Sequence, residues 1–231
     1  MGIESVAMRV ALTRLLAQGK IWQPRRGCYT INQDAGGVLN DVDAWSNKEG
    51  QAVHWDGAWV VVHDTAVQRS NKTAWRHHCL ALSLRGFAEL KPGFHVRPDN
   101  LRGGVSCVRE QLGALGLSSA AIVFRMTELD DDALACAIDL WGANLLNREY
   151  ETLTAMLDVR LLALHQEGRE EALKDSLLLG RRVIALLIRD PLLPREIMSQ
   201  QPRRALVRAM LRYQEEARRL WRDFLAEANS E

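Results

Sequence analysis

Between residues 58 and 128 the apolar pattern switches repeatedly between strand and helix spacing, and few folds accommodate that succession. Ala58-Trp59-Val60-Val61-Val62-His63 is an unbroken β-forming run, as in a strand covered on both faces. Ser70 to Arg85 reads as a helix. Gly86-Phe87-Ala88-Glu89-Leu90 and Phe94-His95-Val96-Arg97-Pro98 flank a Lys91-Pro92-Gly93 turn, which makes them a hairpin. Asp99 or Asn100 opens a second helix to about Leu115, and Ala120 to Glu128 is a last strand. The order β-α-β-β-α-β predicts a ferredoxin-like sheet with its helices on one face.

From Asp130 the spacing is helical. Helices are expected over Ala133–Asn147, Arg148–His165 and Glu167–Arg189, with Trp141 and Tyr150 at core positions. Asp190-Pro191-Leu192-Leu193-Pro194 must interrupt them, because each proline lacks an amide donor and restricts its predecessor. Pro202 to Glu227 closes the chain, with Arg204, Arg208 and Arg212 as a solvated row.

The N-terminal region is basic. Residues 1–31 hold Arg9, Arg14, Lys20, Arg25 and Arg26 against Glu4 alone, a net +4, while residues 32–194 carry −5 and residues 195–231 carry +2. Val6, Val10, Leu12, Leu15 and Leu16 form a helical apolar stripe behind Ser5 as a cap, with Arg9, Thr13 and Arg14 largely opposite. Lys20 to Pro24 and Cys28 to Ile31 read as two short strands joined by an Arg25-Arg26-Gly27 turn. A helix followed by such a hairpin is the second half of a winged helix-turn-helix. Arg9, Thr13 and Arg14 suit a recognition helix that donates to base edges, and Lys20, Arg25 and Arg26 supply cations for phosphates. Val38, Val42 and Trp45 mark a further short helix before a Ser46-Asn47-Lys48-Glu49-Gly50 linker. The fold class is therefore α+β: a partial winged helix over 1–50, a ferredoxin-like domain over 51–129 and a helical domain over 130–231.

Composition removes most other classes. The 231 residues are 47% hydrophobic and 26% charged, with a net charge of +1, enough apolar content for a core and too balanced for a disordered tail. No run approaches the roughly 20 apolar residues that span a bilayer, and the N-terminus lacks a signal pattern, so a cytoplasmic chain is expected. Cys28, Cys79, Cys107 and Cys136 are too widely spaced for a C-x-x-C pair, the six histidines show no H-x-x-x-H, and no glycine-rich phosphate loop occurs. Neither a cofactor nor an enzyme is expected from such a sequence.

Three blocks in order resemble the PaaX family of bacterial transcriptional regulators, repressors associated with phenylacetate catabolism. Val6-Ala7-Met8-Arg9-Val10-Ala11-Leu12-Thr13-Arg14-Leu15, Gly19-Lys20-Ile21 and Arg26-Gly27-Cys28-Tyr29 are similar to its recognition helix and wing. Trp55-Asp56-Gly57-Ala58-Trp59, Gly86-Phe87 and Gly93-Phe94-His95-Val96-Arg97-Pro98 are similar to its Cas2-like central domain. Asp190-Pro191-Leu192-Leu193-Pro194, Glu196-Ile197 and Pro202 are similar to its C-terminal helical block. The resemblance implies a homodimer, assembled through the Cas2-like domain, that binds double-stranded operator DNA and is released by an acyl-CoA effector, phenylacetyl-CoA in the best-known members. It identifies no effector residue.

Two departures qualify that expectation. The family has further helices ahead of the recognition helix, whereas this sequence starts at Met1-Gly2-Ile3-Glu4, so the winged helix is expected to lack its first helices and Leu12 and Leu15 to lack cover. Where the family continues with leucine-proline and tryptophan-proline, Met198-Ser199 and Gln201-Pro202 stand here. Cas2 nucleases place a metal-binding aspartate after the first central strand, where Asp64 stands, although the usual role of such a residue is a turn or cap. His77 and His78, beside Trp75 and Arg76, are expected on an exposed helix face rather than in a cleft for CoA phosphates. The alternatives to a regulator are an acyl-CoA-binding or dimerisation module without an operator, and a Cas2-like metal-dependent nuclease.

Overall fold

The computed structural model of the protein describes residues 5–32, 38–164 and 168–228, without the side chains of 38–40 and 228. The chain divides into two compact units, Met1–Asp43 and Ala44–Glu231.

The small unit contains helix α1 (Ser5–Ala17) and an antiparallel hairpin of β1 (Ile21–Arg25) and β2 (Cys28–Ile31). Ile21 pairs with Ile31 and Trp22 with Thr30; the register then shifts before Arg25 pairs with Cys28, across Pro24, which has no ladder donor. Arg25 is therefore the last strand residue, and the turn is Arg26-Gly27. No residue of 5–32 is buried. Leu12, Leu15 and Leu16 of the expected stripe are half-covered, but Val6 and Val10 stand 65% and 63% exposed. A helix and a two-stranded ribbon bring too little apolar area to close a core around both.

The larger unit begins as helix α2 (Val38–Ala44) gives way to a 3-10 helix over Trp45–Gln51. The stretch expected as a linker is thus regular structure, with Trp45 buried beneath it.

A four-stranded antiparallel sheet follows, formed by β3 (Trp59–His63), β4 (Ala88–Lys91), β5 (Phe94–Pro98) and β6 (Ile122–Met126) in spatial order β4-β5-β3-β6. With α3 (Lys72–Leu84) and α4 (Gly104–Ala114) inserted, the expected β-α-β-β-α-β order holds. Val60 and Val62 face the two helices, packing with Ala81, Leu82, Val108 and Leu112. Trp59 and Val61 face the other side, where Trp141 stacks on Trp59 at 6.2 Å. The central strand is sealed on both sides, which is why its sequence is apolar without alternation.

Helix α4 starts at Gly104 instead of near residue 99, because Asp99 and Asn100 are spent on other contacts: Asp99 accepts from Arg125, and Asn100 donates to the Leu192 carbonyl. The helical part comprises α5 (Asp131–Asp139), α6 (Ala143–Ala163), α7 (Arg169–Arg189) and α8 (Gln201–Ala228). Asp130 caps α5, accepting from Ala133 N at 2.8 Å. The break before α6 falls at residues 140–142, not at 147/148 as the spacing predicted, and Tyr150 is fully buried within α6. Arg204 and Arg212 of the expected solvated row pair with Glu49 and Asp158. No helix among the described residues is long and apolar enough to cross a membrane.

Candidate functional site

The small unit collects every residue expected to meet nucleic acid. Arg9, Thr13 and Arg14 lie on α1, Lys20 at its exit, Arg25 on β1 and Arg26 in the turn, and all six are exposed. Between Ser5 and Asn32 there are five basic residues and no acid, so no neighbour in this stretch neutralises them. Thr13 Oγ1 donates to the Arg9 carbonyl at 2.9 Å, which fixes the rotamer and leaves its lone pairs as acceptors. Arg25 Nε donates to Cys28 Sγ at 3.1 Å, holding one arginine along the ribbon while Arg26 extends from the turn. Lys20 is positioned by its backbone: its amide donates to Leu15 O and its carbonyl accepts from Asn32 N at 2.9 Å.

In the larger unit Asp64 opens a turn, its carbonyl accepting from Val67 N at 2.9 Å, but its side chain is not an exposed one. Its carboxylate is fully buried at the end of β3, and Oδ2 accepts from His78 Nε2 at 2.8 Å and from His95 Nε2 at 3.1 Å. Ser118 N–H donates to His78 Nδ1 at 3.2 Å, so that nitrogen carries no proton and His78 is the neutral Nε2–H tautomer. His78 is thereby corrected from exposed face to fully buried hydrogen-bonded group; His77 next to it is exposed. Its other face stacks on Trp75 at 5.1 Å, and the Arg69 guanidinium lies 4.6 Å over the same indole. Among the described residues, no group of three or more His, Cys, Asp or Glu side chains is arranged to hold a metal ion.

A second buried polar cluster surrounds Asp190. Oδ2 accepts from Tyr150 Oη at 2.5 Å and from Arg203 Nε at 3.0 Å, and Oδ1 accepts from Leu192 N at 2.7 Å. Leu192 has a positive φ of 51°, a left-handed conformation that the Asp190 bond and the Asn100 bond to its carbonyl hold in place. Arg97, also buried, donates to the carbonyls of Arg85 and Pro191; burial lowers its pKa to about 10, so it is cationic at neutral pH. Lys48 donates to the Ile188 and Asp190 carbonyls at 2.7 Å each, and Glu49 accepts from Arg203 and Arg204. The Asp-Pro-Leu-Leu-Pro interruption is thus a latch tying α7, α8, the sheet and the 3-10 helix together.

Sequence reasoning missed His95, Lys48, Glu49, Arg97 and Arg203. A charged or imidazole side chain inside the apolar strand Phe94–Pro98 was the available signal for His95 and Arg97; Lys48, Glu49 and Arg203 gave none, because their partners lie far along the chain.

Two clefts accompany these clusters. One of about 320 Å³ has Leu82, Phe87, Trp141 and Pro191 as its apolar wall and His95 and Arg189 as polar members. The other, of about 370 Å³, is more polar and includes His54, Trp55, Arg195 and Arg204.

In fold the chain resembles the solved structure of the uncharacterized protein Rv0674 from Mycobacterium tuberculosis, with a TM-score of 0.54 over 94% of this chain and 86% of that one, at 18% sequence identity. At that identity the likeness extends to the fold alone. No family model matches the chain, and no curated protein matches it.

Proposed function

We propose that the chain is a PaaX-like transcriptional regulator of the cytoplasm, a homodimeric repressor that binds operator DNA and is released by an acyl-CoA. The observation that carries this reading is the helix and hairpin with five exposed cations and no acid between Ser5 and Asn32. Phosphates draw in such a surface whatever the sequence, and Arg9, Thr13 and Arg14 add donors and acceptors for base edges. The 320 Å³ cleft lies at the low end of small-ligand sites and offers an aromatic wall for an acyl group with Arg189 for an anion. An acyl-CoA that binds one state of the body better lowers operator affinity by that difference. A mobility-shift assay on the region upstream of the gene, with and without phenylacetyl-CoA, tests the reading: a shift reversed by the thioester supports it.

Val6, Met8 and Val10, each more than half exposed, favour a second reading in which the small unit no longer reads an operator and the body acts as an acyl-CoA-binding or dimerisation module. A folded chain that binds the thioester but shifts no duplex would establish that one.

A further inference from the structure

The larger unit carries a basic surface of its own. From Thr65 through Ala88 the sequence contains no acid but includes Arg69, Lys72, Arg76 and Arg85, inside a middle segment whose net charge is −5. Arg69, just ahead of α3, and Lys72 and Arg76 in its first two turns are exposed, and among the described residues none of the three side chains has an ion-pair or hydrogen-bonding partner. Arg69 is nonetheless held in place. Its guanidinium lies on the Trp75 indole, the indole stacks on His78, and His78 is bonded to buried Asp64, so a chain of contacts from the sheet fixes the arginine while its N–H edges stay open. Lys72 and Arg76 are one helical turn apart and share a face. The first turn of α3 has no acidic residue and opens with Lys72, so cations gather at a helix end whose dipole disfavours them. A polyanion bound here would offset this gathering of like charge.

We infer that Arg69, Lys72 and Arg76 form a second phosphate-binding surface that takes the sugar-phosphate backbone of double-stranded DNA, separate from the helix and hairpin of the small unit. The inference rests on the reading of the protein as DNA-binding and extends it to the body. The surface reads no sequence: it has cations, one of them pre-positioned, and contributes affinity and salt dependence.

The test uses the full chain and one duplex from the upstream region, with affinity measured across a salt series. Lys72→Gln/Arg76→Gln spares the stacked arginine, and Arg69→Gln is added in a triple variant; circular dichroism confirms the fold of each. Each lost phosphate contact flattens the plot of log affinity against log salt by about 0.9, so the double variant should lose nearly 2 and the triple nearly 3, with affinity down roughly 10²-fold near 0.1 M salt. Arg25→Gln/Arg26→Gln serves as the comparison. If that pair weakens binding while the α3 variants match the wild type in affinity and slope, the second surface is refuted and the hairpin reading stands. If the wild type shows no salt-sensitive binding, both are refuted. If only the α3 variants lose affinity, the body carries the DNA contact and the hairpin does not.

Discussion

Arg203 Nε donates to Asp190 Oδ2 at 3.0 Å with both side chains sealed from solvent, joining the Asp-Pro-Leu-Leu-Pro turn to the first turn of α8. A buried pair of this kind is costly to break from one side, because the remaining charge is left without its counter-ion. Arg203→Met leaves the Asp190 carboxylate with only Tyr150 Oη and Leu192 N as donors, and also removes the Glu49 contact. Urea unfolding should show a loss of about 3–5 kcal/mol. A loss below about 1 kcal/mol, the worth of an exposed pair, would contradict the latch.

Stability should rise with pH above neutrality. Burial lowers the Lys48 ammonium to about 7 from its ordinary 10.5, with Asp190 acting in the opposite direction. The folded chain therefore releases that proton near pH 7 while the unfolded chain keeps it to about 10.5; between these values the unfolded state binds more protons and stability climbs. Tyr150 has the reverse sign. Burial and Asp190 raise its phenol well above its ordinary 10, so stability falls once the unfolded chain ionises there. The melting temperature should increase from about pH 7 toward about pH 9.5 and decline beyond pH 10, and Lys48→Met should flatten the rising limb. The neutral amine retains two donors for the two carbonyls, so the contact survives the titration.

His78 should be neutral with its proton on Nε2. Nitrogen-15 NMR of the imidazole would display an unprotonated Nδ1 coupled to no hydrogen and a protonated Nε2 facing Asp64. The opposite tautomer would leave Ser118 N–H without its acceptor and refute the assignment.

Two glycines with similar backbone angles should respond differently to alanine. Gly86 has a φ of +71°, and a Cβ there would meet the Pro191 Cα at 2.5 Å, so Gly86→Ala must displace the latch backbone. Gly27 has a φ of +80° and open space around it, leaving only the left-handed penalty of about 1–2 kcal/mol. Thermal melts of Gly86→Ala should show a clearly larger drop in the larger unit than Gly27→Ala produces anywhere; equal drops would mean that the turn at Pro191 is not fixed.

The element order was legible in the sequence because strand and helix periods alternate and proline and glycine mark the breaks. The break at residues 140–142 was not, since Leu140 and Trp141 continue the apolar spacing through it. His78 was readable in principle: it lies three and four residues before buried Ala81 and Leu82, on their face of α3. The polar clusters were not readable, because a buried charge is decided by partners distant in sequence: Arg97 by Pro191, 94 positions on, and Arg203 by Glu49, 154 positions back. Exposure of the basic residues followed from their spacing, whereas the open Val6 and Val10 reflect how little residues 5–32 bring to pack against them.

The salt dependence of DNA binding tests the central claim most directly. Fluorescence anisotropy of a labelled upstream duplex, read from about 50 to 200 mM salt, should give a steep linear fall of log affinity, and Arg25→Gln/Arg26→Gln should flatten it by nearly 2 at all sequences. A folded wild-type chain whose binding is absent, or whose slope is unchanged by loss of both hairpin arginines, would contradict the account.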